Sequence, residues 1–407
     1  MSQLAVHGGT PTITKPWPPW PVWDEREVEA VREAMESGVW GGTMLGPKVT
    51  ALNERFARYC DARYGVALCN GTVTMELALR GLGIGPGDEV IVPAYTFMAT
   101  AVVVAQVGAM PVFVDVDRDT LCLDPDRTEE AVSERTQAMI PVHLGGHPCD
   151  MQRLLSIAQK HNLSIVEDAA QAHGAIWNGR KLGAIGDAGS YSFQQSKNMQ
   201  CGEGGIVVTD DGELADLIHY SLGKFGRGVR EDYAFHRHYR LAGNASITEI
   251  QAAIALVQLE RLEEQTQRRA ENGRTLIERL DDVEGVEPLR WASYCTRHGY
   301  HLFFVRYHAE AFDHLPIERF VEALNAEGVP ASTLYPVPLF RQPMYDLDRM
   351  KIVGTDLPIR TTPCPETERA CREMVVLPQH VLLAEWEDME GIAEAVRKIH
   401  EGRGQLL

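Results

Sequence analysis

The chain has 407 residues, 44% of them hydrophobic and 24% charged, the balance of a soluble globular protein long enough for two domains. Its 57 acidic against 39 basic side chains leave a formal net charge of −18, which argues against a protein that binds nucleic acid or an anionic membrane. Any phosphate it holds must be held by local geometry, because the global field repels it.

The N-terminal arm is dense in Pro and Trp (Trp17, Pro18, Pro19, Trp20, Pro21, Trp23), which excludes helix and central strand and leaves tryptophans to pack on the body. A helix is predicted to start at Asp24, a good N-cap followed by acidic residues. The stretch from Gly41 to Lys48 looks like a phosphate loop but lacks the required Gly-Lys-Ser/Thr ending. A second helix carries Met75, Ala78, Leu79 and Leu82 on one face and stops at the glycines between Gly83 and Gly87. Val90 to Val114 is free of charge and long enough to cross a bilayer, but Pro93, Gly108 and Pro111 punctuate it, so it reads as strand, helix, strand in a buried core.

Apolar runs at Val90–Val92, Pro111–Val114, Ala138–Val142 and Ser164–Val166 recur at spacings of roughly 22 to 27 residues, the rhythm of βαβ units and a parallel sheet. Met151, Leu154, Leu155 and Ala158 mark the helix between the last two. A later helix is predicted from the capping box Ser246-x-x-Glu249, with Ile250, Ala253, Ile254 and Val257 buried. After residue 265 the rhythm changes: a strand from His301 to Val305, a helix from Pro316 to Ala326, a Val375–Leu377 run and a last helix from Glu385 to Ile399 read as a smaller α+β domain. The division expected is 1–265 and 266–407. The eight cysteines show no Cys-x-x-Cys spacing and read as reduced cytosolic thiols, and no signal peptide or metal site is expected.

Four patches carry chemistry. Asn70-Gly71-Thr72 precedes a helix, where a glycine lets amides approach an anion; taken alone, the motif reads rather as a plain N-cap by Asn70. Pro93-Ala94-Tyr95-Thr96-Phe97 ends a strand at the edge where α/β sheets bind ligands, with Thr96 able to cap the next helix and Phe97 able to stack on a flat ring or join the core. Glu167-Asp168, followed by Gln171 and His173, closes a buried strand, where an ionised Asp168 needs a cationic partner; His173 reads as a satisfied core histidine. Ser192 to Asn198 holds a lone Lys197 among small polar residues before the glycine-rich turn Gly202–Gly205, a setting in which a lysine can form a Schiff base.

In this order, "NGT", "GDEVIVPAYTF", "VEDAAQAHGA" and "SFQQSKNMQCGEGG" resemble the DegT/DnrJ/EryC1/StrS sugar aminotransferases, over nearly the whole chain. The resemblance implies the fold-type I architecture of pyridoxal phosphate enzymes: a large domain with a mostly parallel sheet flanked by helices, and a smaller α+β C-terminal domain. It implies pyridoxal 5′-phosphate, alternating with pyridoxamine phosphate, bound as a Schiff base to Lys197, which then shuttles the proton. Asp168 would pair with the pyridine nitrogen, Gly71, Thr72 and Ser192 would hold the phosphate, Phe97 would stack on the ring, and Gln171 would lie near its hydroxyl. Asn244, in "AGNASITE", would reach the phosphate of the neighbouring subunit, which implies a homodimer with shared active sites in the cytoplasm. His301 and Tyr335 fall in regions that face substrate in relatives, and equally read as strand packing and a turn.

Two departures stand out: relatives often have Ser where Asn70 stands and Arg where Ser246 stands, the second weakening any anionic contact from that position. The retained Lys197 favours transamination over the dehydratase chemistry of relatives with histidine there. "HGGTP", the Trp/Pro arm, Trp40–Gly42 and "FQQSKN" look most like the cyclitol branch, which implies L-glutamine as donor and scyllo-inosose or 2-deoxy-scyllo-inosose as acceptor in aminoglycoside-type metabolism. The alternatives are a 3-amino-5-hydroxybenzoate synthase-like lyase or dehydratase, a nucleotide-sugar aminotransferase, and a non-catalytic regulator on the same fold.

Overall fold

The alternation of buried runs and amphipathic helices is realised in a computed structural model that describes residues 3–41, 46–229, 236–345 and 359–406. Gly42 of the Trp40–Gly42 motif lies outside them. Helix α1 (Glu25–Glu36) starts at Asp24 through a capping box: Asp24 accepts from the Arg26 amide at 2.9 Å, and Glu27 accepts from the Asp24 amide at 2.9 Å. Such a cap contributes about 1 kcal/mol. Helix α2 (Pro47–Tyr59) opens with proline at its first position, where no amide bond is lost.

The large sheet grows from the chain β1 (Tyr64–Leu68), α3 (Gly71–Gly81), β2 (Glu89–Pro93), α4 (Ala99–Gln106), β3 (Met110–Val114), α5 (Pro125–Ala131), β4 (Thr136–Met139), α6 (Met151–His161) and β5 (Ser164–Asp168). A small hairpin of β6 (Ile176–Trp177) and β7 (Arg180–Lys181) follows, then β8 (Ala188–Ser192), β9 (Gly205–Thr209), α7 (Gly212–Asp216) and the long α8 (Glu249–Leu280). The strands Val90 to Val92 and Val112 to Val114 are almost wholly buried, which is why they read as unbroken apolar runs rather than alternating ones. The charge-free stretch is thus core, and among the described residues no helix is long and apolar enough to cross a membrane.

The C-terminal part contributes β10 (Val286–Pro288), β11 (Cys295–Arg297), β12 (Leu302–Tyr307), α9 (Ile317–Ala326), β13 (Ser332–Thr333), β14 (Arg360–Thr361), α10 (Pro365–Glu373), β15 (Met374–Pro378) and α11 (Asp388–Gly402). The large sheet has the order β1-β9-β8-β5-β4-β2-β3-β14, parallel except for β9, which runs against both neighbours. A separate antiparallel sheet, β10-β12-β15-β13, buries Phe303, Val305, Val375 and Leu377 against α9 and α11. The mostly parallel sheet with a smaller α+β unit is the architecture the sequence led us to expect.

Three local expectations need correction. Helix α8 is capped by Thr248 with Gln251, not by Ser246 with Glu249: the Gln251 amide donates to Thr248 Oγ1 at 3.2 Å. Glu249 is unavailable because its buried carboxylate accepts the Lys48 and Val49 amides, at 2.8 and 2.9 Å, at the start of α2. The buried face of α8 is accordingly rotated toward Ala252 and Leu256, leaving Ile250 and Ile254 half-buried. Thr96 does not cap α4; its hydroxyl lies 3.5 Å from that of Thr100, and Met98 occupies the cap position without a side-chain bond. In the arm, the Trp17 indole donates to Gly328 O at 2.7 Å and the Trp20 indole to Gln195 O at 2.8 Å, whereas Trp23 turns outward, 65% exposed. Residues 265 and 266 lie inside α8, and β14 returns from the C-terminal part to the edge of the large sheet. All eight cysteines are free.

Candidate active site

The carboxyl ends of β1, β2, β5 and β8 meet at one edge of the large sheet, the place where open α/β sheets bind ligands. Asp168 is the last residue of β5 and is buried. Its Oδ2 accepts from the Thr100 hydroxyl at 2.8 Å and its Oδ1 from the Ala170 amide at 3.2 Å. Burial raises its pKa, and the Thr100 and Ala170 donors and the Lys197 charge pull against that shift.

Lys197 lies in the turn between β8 and β9. Burial pushes its pKa down to about 8, with the Asp168 charge opposing. At that value about a tenth of the amine is in its neutral, nucleophilic form at pH 7, far more than of a lysine in water.

Asn70 caps α3, accepting from the Val73 amide at 2.8 Å, so the amides of Gly71 and Thr72 stand at the positive end of the helix. A Cβ on Gly71 would fall 2.7 Å from Cβ of Ser192, so only glycine lets the helix start approach the end of β8 this closely. Asn70 is therefore a cap, and the glycine serves a close approach at the same time. Thr72 is half-buried and Ser192 buried, its hydroxyl accepting from the Gln194 amide at 3.3 Å.

Gln171 accepts the Gly145 amide at 2.8 Å and reaches the Tyr335 hydroxyl at 3.4 Å. Tyr335, at φ 48°, stands edge-on to Tyr95 with ring centroids 5.5 Å apart, and the Asp168 charge helps burial to raise its pKa. His301 is buried, its Nδ1 has no partner, and burial followed by the Lys197 charge holds its pKa well below the usual imidazole range. Both residues offered from the C-terminal part thus lie in the neighbourhood of Lys197 and Asp168. Phe97 is 54% exposed, so it is no core residue. Asn244 is exposed and its Oδ1 accepts from Ser246 Oγ at 2.6 Å.

His173 departs from expectation: it is buried among Phe56, Tyr191 and Phe193, but neither ring nitrogen has a partner, and burial pushes its pKa down to about 3. It is a neutral ring held among aromatic rings at edge-on and tilted angles.

Sequence reasoning missed several groups. Thr100 sits in an apolar helix and gave no signal. Glu167, beside Asp168, accepts from His143 Nε2 at 3.0 Å and from the Gly183, Ile185 and Gly186 amides at 2.7 to 2.8 Å. Lys224 donates to Ser246 Oγ at 2.6 Å, placing a cation where the sequence offers only a serine. Arg269, near the middle of α8, is completely buried. Among the described residues no cluster of three metal-ligating side chains occurs.

Among known proteins, the chain is 36% identical to the L-glutamine:2-deoxy-scyllo-inosose aminotransferase of Streptoalloteichus tenebrarius, over 99% of each chain. It is 36% identical to the L-glutamine:scyllo-inosose aminotransferase of Streptomyces griseus, over 98% of this chain and 97% of the relative. The crystal structure of 3-amino-5-hydroxybenzoic acid synthase superposes with a TM-score of 0.84 at 32% identity, covering 95% of this chain and 99% of that one. The model of the DegT/DnrJ/EryC1/StrS aminotransferase family matches residues 21–397. With a neutralisable amine, a buried carboxylate and a glycine-built helix start gathered at one sheet edge, the chain belongs to the DegT/DnrJ/EryC1/StrS aminotransferase family.

Proposed function

We propose that this aminotransferase uses pyridoxal 5′-phosphate to move an amino group from L-glutamine to a keto-cyclitol of the scyllo-inosose or 2-deoxy-scyllo-inosose class. The carrying observation is Lys197, half-buried in the turn after β8, with its amine pushed down to about pKa 8 by desolvation and the Asp168 carboxylate opposing that shift. The absence of a Cβ at Gly71 brings the start of α3 against Ser192, so free helix-start amides and a hydroxyl converge, donors that fit the phosphate of the cofactor. Once bound, the cofactor supplies an electron sink that lets a bond to the donor's α-carbon be broken.

The chain's own groups then have distinct tasks. Lys197 Nζ would hold the cofactor and, once free, would act as the base that takes the proton from the donor's α-carbon and as the acid that returns a proton to the acceptor's carbonyl carbon. Asp168 holds the proton on the pyridine nitrogen, and Thr100 keeps that carboxylate ionised. The Gly71 and Thr72 amides and the Ser192 hydroxyl take the phosphate without a protein cation. Phe97 covers the ring, Gln171 stands by its hydroxyl, and His301 and Tyr335 face the substrate. The large domain, 1–265, carries these cofactor contacts, and 266–407 closes the substrate side.

Asn244 reaches the phosphate of a neighbouring subunit in a homodimer with shared sites. Exposed apolar residues support such an interface: Trp40, Phe97, Met98 and Leu241 are 54, 54, 41 and 97% exposed. The free cysteines support a reducing, cytoplasmic setting. The similarity to 3-amino-5-hydroxybenzoic acid synthase supports a second reading, a lyase or dehydratase on the same site.

A visible spectrum followed by half-reactions tests this. The purified protein is expected to carry an absorption band that Lys197→Ala lacks after dialysis; L-glutamine bleaches it and scyllo-inosose restores it. A wild-type protein without a band rules out the cofactor. Bleaching by other amino acids but not by glutamine removes the donor, and failure of every keto-cyclitol to restore the band favours the second reading.

A further inference from the structure

Lys224, Ser246 and Asn244 are joined by hydrogen bonds whose directions are fixed by the groups that make them. An ammonium can only donate, so Lys224 Nζ, 2.6 Å from Ser246 Oγ, makes that oxygen an acceptor and turns its hydrogen onward. The hydrogen goes to Asn244 Oδ1 at 2.6 Å. The Ser246 peptide amide, also a donor only, reaches the same oxygen at 3.2 Å. A flipped Asn244 would set N–H groups against both of these donors, so Oδ1 stays on Ser246 and Nδ2 faces away. Asn244 is exposed, and its Nδ2 makes no hydrogen bond among the described residues.

The backbone holds this relay in place. Lys224 pairs with Asn244 and Leu68 with Ser246 in antiparallel bridges, and the Cys69 amide donates to Ala245 O at 2.9 Å. Leu68 and Cys69 are the end of β1 and the residue that leads to the Asn70 cap of α3. Lys224 itself is buried, so its charge reaches the surface through Ser246 rather than through water.

We propose that Lys224 and Ser246 are positioning residues for Asn244: they hold its side-chain amide with the N–H groups outward, so that it meets a phosphate with donors and never with its carbonyl oxygen. The inference rests on the reading above, in which Asn244 reaches a cofactor phosphate, and deepens it. An unsupported asparagine presents either end of its amide, and the carbonyl end repels a phosphate. A relay that fixes the amide beforehand removes the ordering cost from the binding step. The ammonium at its head polarises the bonds that follow, so a neutral amide donates more strongly than it would alone. A chain of net charge −18 thereby turns one buried cation toward a phosphate without placing the ammonium against it.

The test is equilibrium titration of the cofactor-free protein with pyridoxal 5′-phosphate and with pyridoxal, which lacks the phosphate. Asn244→Ala, Lys224→Met and Ser246→Ala are each expected to weaken pyridoxal 5′-phosphate binding about tenfold and to leave pyridoxal binding unmoved. Ser246→Thr, which keeps the hydroxyl, should retain most of the affinity. The double variant Lys224→Met/Asn244→Ala should bind no more weakly than Asn244→Ala alone, because the lysine acts only through the asparagine. Additive losses, an equal loss for pyridoxal, or full affinity in Lys224→Met and Ser246→Ala overturns the proposal. If Lys224→Met does not fold, Ser246→Ala and its double variant with Asn244→Ala decide by the same criteria, with the cation left in place. An Asn244→Ala protein with wild-type affinity instead sinks the reading that Asn244 reaches a phosphate, and the proposal with it. Mixed dimers separate the shared-site reading from the orienting role. Lys197→Ala subunits combined with Ser246→Ala subunits should regain wild-type cofactor affinity, read from activity, when Asn244 acts across the interface; without that recovery the sharing fails, and the orienting role is decided by the titrations. If the wild type binds no pyridoxal 5′-phosphate, it is the aminotransferase reading that fails. The relay is then judged on inorganic phosphate, which should raise the Tm of wild type but not of Ser246→Ala; an equal rise, or none, overturns it.

Discussion

The Thr100 hydroxyl on α4 and the Asp168 carboxylate at the end of β5 are joined by a 2.8 Å hydrogen bond across adjacent layers of the large domain. Among the described residues it is the one side-chain donor bonded to that carboxylate. Thr100→Val should therefore raise the Asp168 pKa further and lower turnover about tenfold, while Thr100→Ser retains most of it. Steady-state rates as a function of pH check this: the acidic limb should move to higher pH in the valine variant only.

Asp168 itself has a folded pKa above its unfolded one, because burial dominates. Such a group favours the fold below its unfolded pKa and loses that contribution as pH rises through the folded value. At pH 7 the cofactor-free protein carries the cost of an ionised, under-paired carboxylate. Asp168→Asn is expected to raise the Tm of the cofactor-free protein while abolishing turnover; a lower Tm would sink the argument.

Glu167 behaves in the opposite sense. Burial works to raise its pKa, but the bond from His143 and the peptide amides outweigh it and hold the carboxyl below its usual value. Its stabilisation is present above the unfolded carboxylate pKa and disappears as pH falls through the lower folded one. Glu167→Gln leaves amide hydrogens facing peptide donors and should cost about 3 kcal/mol or more in urea unfolding at pH 7. The difference from wild type should shrink toward acid pH.

Gly71→Ala would push a methyl group into Cβ of Ser192, 2.7 Å away. Neither the start of α3 nor the end of β8 has a flexible side chain to yield, so overpacking should cost about 1–3 kcal/mol. The phosphate cradle deforms with it, and equilibrium titration with pyridoxal 5′-phosphate should show cofactor affinity lowered by about 100-fold or more.

The Lys197 amine must be neutral to attack an aldehyde, and its pKa is pushed down to about 8. The rate of cofactor association with the cofactor-free protein should rise about tenfold per pH unit below that value and level off above it. Stopped-flow absorbance measures this directly; a plateau reached only near pH 10 would mean an amine left in water.

Periodicity and glycine placement were enough to predict the parallel sheet, because strands buried on both faces must be continuously apolar and their crossovers amphipathic. Asp168, Lys197 and Gly71 were legible because their types are unusual at strand ends and in enclosed turns. The α8 cap was not, since Ser246-x-x-Glu249 and Thr248-x-x-Gln251 overlap and only the tertiary demand of the Lys48 and Val49 amides decides between them. Thr100 and Arg269 were invisible for the same reason: a threonine in an apolar helix and an arginine in a charged one look ordinary until their burial is known. The vacant hydrogen bonds of His173 likewise depend on aromatic neighbours from two separate segments, Phe56 on α2 and Tyr191 with Phe193 at the end of β8.

The two arm tryptophans have a mechanical consequence. Trp17 is hooked to Gly328, beside the C-terminal sheet, and Trp20 to Gln195, in the turn that bears Lys197. Two residues, Pro18 and Pro19, separate them, so the three peptide steps make a tether of at most about 11 Å between α-carbons, which the prolines keep taut. The arm works as a caliper: the jaws on either side of the lysine can roll about it, but they cannot gape without unhooking an indole.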